Sequence, residues 1–234
     1  MRRPRAPIAV SETIGRSRFL LLLLSLMLMY AVQPMLGEQE REIIGRDAAL
    51  ALVLLMGVWS MSHSRLLFLT GLGLVVPTLA AAWLASSTSI PGAGLVGLAF
   101  GLGFLVFMIV TLLSIVLRSR AVTTDTILGG ICVYMLLALA WTVVFSMLEI
   151  AKPESFANPS GPLTKVPQDG GLMVPELLHY SVFVITSMGP GYVQPMTRLA
   201  RAWTGLAAIS GQLYLAVFIA RLVGLHASQI HRDG

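Results

Sequence analysis

Residues 180–195 read Tyr-Ser-Val-Phe-Val-Ile-Thr-Ser-Met-Gly-Pro-Gly-Tyr-Val-Gln-Pro. The stretch is too polar and glycine-rich to cross a membrane, and too apolar for an ordinary surface loop. It lies between two long apolar runs, 126–148 and 199–224. A short amphiphilic helix followed by Gly-x-Gly, set between two spanning helices, is how a membrane pore exposes backbone carbonyls to an ion. The chemistry in view is exchange of an ion's hydration shell for carbonyl oxygens. Taken alone, Gly189-Pro190-Gly191 also reads as a plain loop between two helices.

Such a loop needs helices to hold it, and the composition supplies them. Of 234 residues, 56% are hydrophobic and 12% charged, and the mean hydropathy is +0.82. No soluble domain needs so much apolar surface, so the class is polytopic membrane protein. The net charge of +5 comes from arginines at the ends of apolar runs, with no basic face for nucleic acid. The single cysteine, Cys132, excludes an intrachain disulfide and zinc-type spacing.

The fold expected is an all-α membrane protein with six transmembrane helices, at 19–36, 47–62, 66–84, 94–117, 126–148 and 199–224. A re-entrant pore helix, 175–187, and a filter loop lie between helices five and six. The first run is read as a retained helix, since its end makes a poor cleavage site. The second is short for a bilayer span of about 20 residues. Pro77 sits inside the third, where packing must compensate the lost backbone bond. Gly97 and Gly101 in the fourth have the spacing of close helix packing, though glycine is common in spanning helices generally. Thr123-Thr124-Asp125 offers a cap for the fifth. The segment after it carries prolines at 153, 159, 162, 167 and 175 and reads as an exposed loop with little regular structure. Pro175 and Glu176 suit the first turn of the pore helix.

The domains expected are a basic tail at 1–18, a four-helix region at 19–120, a pore module at 121–226 and a tail at 227–234. Orientation follows from the basic residues. Arg2, Arg3, Arg5, Arg16, Arg18, Arg65, Arg118, Arg120, Arg221 and Arg232 fall on one side. Arg41, Arg46, Lys152, Lys165, Arg198 and Arg201 fall on the other. Both termini are therefore expected to be cytoplasmic, in an inner (plasma) membrane.

The stretch from Thr186 through Ser187, Met188, Gly189, Pro190, Gly191 and Tyr192 resembles the filter of bacterial potassium channels of the two-helix-plus-pore-loop type. Pro195 falls where that family often has proline. Leu199-Ala200-Arg201 and the run Gly211 to Gly224 resemble its inner helix. The likeness covers roughly residues 126–226. It implies a homotetramer in the lipid bilayer, with four loops converging on one axis. Backbone carbonyls of Ser187, Met188, Gly189 and Pro190, with the Ser187 hydroxyl, would then replace the hydration shell of potassium or another monovalent cation. Thr186 would sit under the filter. Gly211 would be the hinge of the inner helix, with Gly205 a second flexible point, and helix packing is the other reading of Gly211. No further cofactor, nucleic acid or soluble partner is implied.

Three departures from the family pattern bear on selectivity. Pro190 stands where the family has tyrosine, which loses an aromatic support while keeping the carbonyl. A residue before proline is pushed away from helical angles, whereas the filter wants Gly189 left-handed. Tyr192 replaces an acid, and Tyr192 or Tyr180 is expected to restore part of the support. Ser187 keeps a hydroxyl but loses a methyl relative to threonine. Cation permeation is expected, with selectivity for potassium left open.

Other chemistry finds little footing. Residues 94–117 lack the arginine series of a voltage sensor. His179, His226 and His231 could carry a pH response, but packing accounts better for His179, and solvation or the lipid surface for the other two. Glu149 and Glu176 are read as solvated residues near the outer mouth. No metalloprotease, serine-hydrolase or phosphate-loop motif occurs, so no enzyme is expected. The alternative to a channel is a non-conducting relative with the same fold, acting as a membrane scaffold or regulator.

Overall fold

The structure, a computed structural model, describes residues 9–32, 51–59, 65–87, 93–119, 122–163, 175–189 and 191–233. Seven helical elements occur among them: α1 (Ala9–Val32), α2 (51–59), α3 (Arg65–Ser87), α4 (Ala93–Arg118), α5 (Thr124–Ala151), α6 (Pro175–Ile185) and α7 (Arg198–Asp233). Three of these are long and apolar enough to cross a membrane, over Gly94–Arg118, Thr124–Ala151 and Arg198–Ala227. They make this a membrane protein. Shorter apolar stretches, Phe19–Ala31 and Arg65–Ala81, lie in α1 and α3.

Local sequence explains most of the boundaries. Thr123 caps α5, its hydroxyl accepting from the Thr126 amide at 3.2 Å, and Asp125 lies in the first turn. Pro77 interrupts the bonding of α3 without ending it, and the Thr78 hydroxyl donates to the Leu74 carbonyl at 2.7 Å. The two segments expected as tails are helical in their described parts. The basic segment is helical from Ala9, past its last proline, Pro7, and α7 runs on through 227–233, where no proline or glycine stops it before Gly234.

α5 is the central helix and feeds both apolar cores. One gathers Leu22 and Leu26 of α1, Val53 of α2, Phe104 and Met108 of α4, and Leu136 of α5. The other joins Phe145 of α5 to Leu177 and Tyr180 of α6 and to Ala200 and Ala207 of α7. α2 meets α4 closely: a Cβ on Gly57 would come within 2.4 Å of the Met108 sulfur. The expected Gly97–Gly101 packing motif is less tight, since a Cβ on Gly101 would meet Thr78 at 3.4 Å.

The described part of the proline-rich segment, up to residue 163, is not wholly irregular. β1 (Phe156–Asn158) pairs antiparallel with β2 (Gly161–Pro162) and with β3 (Gln194–Pro195), in the order β2-β1-β3. Pro162 and Pro195 therefore lie on edge strands, where a missing N–H is tolerated. Gly161 turns the hairpin at φ +128°. Phe156, fully buried, meets the rings of Phe145 and Tyr180 edge-on at 5.5 and 5.4 Å. Residues 164–174, with Lys165 and Pro167, lie outside the described residues.

Glu149 is likewise corrected. It is 1% exposed, and its two carboxylate oxygens accept from the amides of Glu154 and Phe156, each at 2.9 Å. A buried carboxylate needs such donors, and here they fold the chain from the end of α5 into β1. Removing the anchoring ring should be costly. Phe156→Ala is expected to cost about 3 kcal/mol of stability, read as a lowered unfolding midpoint of the detergent-solubilised protein.

Candidate functional site

α6 lies in the cleft between α5 and α7. As it advances, its partners move steadily along both. At its middle, Tyr180 packs on Phe145 of α5 and bonds Thr204 of α7 through its hydroxyl at 2.6 Å. Next, Ser181 meets Thr142 of α5, hydroxyl to hydroxyl, at 2.7 Å. At its end, the Ile185 carbonyl accepts from the Tyr134 hydroxyl of α5 at 3.0 Å. There α7 presents Gly211, whose missing Cβ would lie 2.4 Å from that same oxygen. α6 thus runs antiparallel to α5 and parallel to α7, and stops partway along both.

The helix closes with a capping turn. The Met188 amide donates to the Phe183 carbonyl and the Ser187 amide to the Val184 carbonyl, both at 3.0 Å. Ser187 takes φ +58°. This is the paired bonding of a Schellman cap, with serine in the left-handed place usually held by glycine. The Thr186 hydroxyl folds back onto the Val182 and Phe183 carbonyls, at 2.7 and 3.2 Å. Gln212 of α7 donates from Nε2 to the Ser187 hydroxyl oxygen at 2.8 Å and to the Ile185 carbonyl at 3.5 Å.

Beyond the cap, Met188 is 71% exposed. Gly189 has φ +99° and Gly191 φ +61°, and the Pro190 assigned to the filter lies outside the described residues. Gly189 is therefore left-handed despite the following proline, at a φ well beyond the usual helical value of about +57°. The chain then returns to the sheet. Val193 is buried, β3 pairs with β1, and the Met196 amide donates to the Ser155 carbonyl at 2.8 Å. Both ends of 175–195 are thus held on the side of the molecule where α5 ends and α7 begins.

The aromatic residues expected to support the loop are placed differently from one another. Tyr180 is buried in the middle of α6, among Phe145, Phe156 and Thr204. Tyr192 is exposed, its hydroxyl 3.4 Å from that of Ser160 in the β1–β2 turn. The ring that lies against the loop is Phe183, 3.5 Å from where a Cβ on Gly191 would stand. His179 is exposed and stacks on Phe183 at 6.4 Å. Glu176 is exposed in the first turn of α6, and His226 is exposed on α7.

Spacing does not reveal Gln212 or Tyr134 as partners of the loop. A signal was present for Gln212, a neutral polar residue heading the apolar run 213–220. Polar side chains within membrane segments tend to be functional or to bond across helices. Tyr134 belongs to a ladder in which Tyr134 stacks on Tyr214 at 5.8 Å and Tyr214 on Phe218 at 5.7 Å.

The two glycines of α7 separate cleanly. Both lie within an unbroken helix, but Gly211 is buried against backbone, whereas nothing stands within 4 Å of a Cβ on Gly205. Gly211→Ala is expected to destabilise by about 1–3 kcal/mol, because a backbone oxygen cannot swing aside. Gly205→Ala is expected to leave stability unchanged or raise it by up to about 1 kcal/mol. Thermal unfolding of the two variants side by side checks this. Compared with family models, curated proteins and solved structures, the chain finds no match in any of the three.

Proposed function

We propose that four copies of this chain assemble into a cation channel, with α5, α6, the 186–192 loop and α7 as a potassium-channel-like pore module. The permeant ion is potassium or another monovalent cation. In this reading the chain spans the membrane six times with both termini cytoplasmic, and α6 is the re-entrant pore helix.

One observation carries the reading. A short helix enters between two antiparallel apolar helices, stops partway at Ile185 against Tyr134 and Gly211, and the chain turns back to the side it came from. Inside a membrane that route exposes irregular backbone, which is tolerated only where it is buried in protein or lines a water-filled path. The loop also takes positive φ at Ser187 and Gly189, on either side of Met188, and again at Gly191. Alternating backbone hand turns successive carbonyls toward the same side, as an ion path needs.

α7 supports assembly. Only 11% of its apolar window is buried within the protomer, against 56% for α5. Ala202, Gly205, Gln212, Ala216 and Ala220 are exposed on it, close to one side. Small residues let helices approach one another or line a cavity.

Ion flux from purified protein in liposomes is the test. A potassium gradient is expected to drive a barium-sensitive flux, and crosslinking in membranes is expected to give a tetramer. Gln212→Leu releases Ser187 and is expected to change the ratio of potassium to sodium flux severalfold. Absence of flux, with flux appearing in Pro190→Tyr, would establish the non-conducting relative instead. A species no larger than a dimer after membrane crosslinking would sink both the tetramer and the pore.

A further inference from the structure

A groove of about 320 Å³ opens between α4, α5 and α7, lined among others by Leu113, Leu117, Val133, Leu137, Leu213 and Val217. Its volume is at the lower end of small-molecule sites, about 300–1,000 Å³. The polar groups on its wall are already engaged. Ser210 accepts from the Trp141 indole at 2.9 Å and donates to the Ala207 carbonyl at 2.8 Å. Tyr214 donates to the Gly130 carbonyl at 2.6 Å. Water would find few partners there, so the groove suits a hydrocarbon chain. Leu117, Leu213 and Val217 are themselves exposed, so the groove opens on the apolar flank of the spanning helices. From Ile109 to Leu117 it follows α4 for about 12 Å.

The Leu117 end of the groove is basic. Arg118 is exposed in the last turn of α4. Arg221, one turn past Val217, donates from Nη2 to the Leu117 carbonyl and, at 2.9 Å, to the Ser119 carbonyl. Its Nε is buried without a hydrogen-bond partner. Asp125, in the first turn of α5, is an acid at the same end, and its Oδ1 also lacks a partner. A guanidinium pair beside an apolar slot matches a phosphate joined to an acyl chain.

We propose that this groove binds an anionic phospholipid, with one acyl chain between α4, α5 and α7 and the phosphate on Arg118 and Arg221. The site does not depend on ion conduction. Two arginines near a membrane surface are expected to favour an anionic headgroup about tenfold.

Native mass spectrometry of the purified full chain, offered phosphatidylglycerol and phosphatidylcholine of equal chain length, tests the site. About tenfold preferential retention of phosphatidylglycerol is expected. Arg118→Gln, at an exposed position, should lose part of the preference, and adding Arg221→Gln should bring the two lipids near parity. Leu213→Trp fills the groove from an exposed position and should lower retention of both lipids with the arginines intact. Equal retention by the unaltered protein would overturn the proposal. So would a preference untouched by both Arg118→Gln and Leu213→Trp. Crosslinks from Leu213→Cys to a second copy in membranes would assign the groove to a subunit contact and overturn it too.

Discussion

The depth at which α6 stops is set by contact between two backbones. Gly211 brings α7 against the Ile185 carbonyl with no side chain between them. Any larger residue would push the helices apart and move the loop relative to α7. That carbonyl is one of those left without an intrahelical partner at a helix end. In a membrane protein it cannot rely on water. Tyr134 supplies the main bond from α5, and Gln212 adds a longer one from α7. The same carboxamide reaches Ser187, so one side chain fixes both the end of the helix and the first residue of the loop. The donor assignment is forced by chemistry: a carbonyl can only accept, so the Gln212 group facing Ile185 is the N–H side.

The middle of α6 is held by different means. There the packing is aromatic, with Phe145, Phe156 and Tyr180 meeting edge-on. Glu149 ties the same place through two backbone amides. Because β1 pairs with β3, the strand after the loop is joined to the hairpin before α6. The loop is therefore clamped at its helix end by α5 and α7, and at its exit by the sheet. Between these clamps lie the exposed Met188 and the two positive-φ glycines. The glycines take positive φ freely, whereas Ser187 at φ +58° is strained, and such strain persists only where flanking structure over-determines it, which the contacts at the helix end supply.

What was legible in the sequence follows the range of the interactions. Long apolar runs mark α4, α5 and α7, because continuous hydrophobicity is a local property. Pro175 and Glu176 mark the start of α6 for the same reason. The small sheet was not legible. Its strands are two or three residues long and draw their stability from Phe156 and Glu149, whose partners are remote or seven residues away. Prolines at 153, 159 and 162 argued for irregular chain, yet edge strands accommodate proline without loss. Gly205 and Gly211 look alike in a helix. Only what stands opposite separates them, and that information lies 26 residues upstream of Gly211 at Ile185. The four helices before α5 carry only the Gly97–Gly101 spacing, and the polar connections between them gave less to read than the caps of α5 and α6.

The far end of α7 adds a constraint of the same kind. Arg221 reaches the Leu117 and Ser119 carbonyls at the end of α4. A cation there meets the negative pole of the helix and satisfies free carbonyls at once. Alongside it, a Cβ on Gly130 would fall 2.1 Å from the Phe218 ring, so α5 and α7 are in tight contact one turn beyond the stacked pair Tyr134 and Tyr214. α7 is thus fixed to α6 at Gly211, to α5 at Gly130 and to α4 at Arg221, three points along one helix. Displacement of α7 around Arg221 must either break the arginine's bonds or carry the end of α4 along. The end of α4 is thus joined to the helix that packs on α6, through ordinary hydrogen bonds and packing.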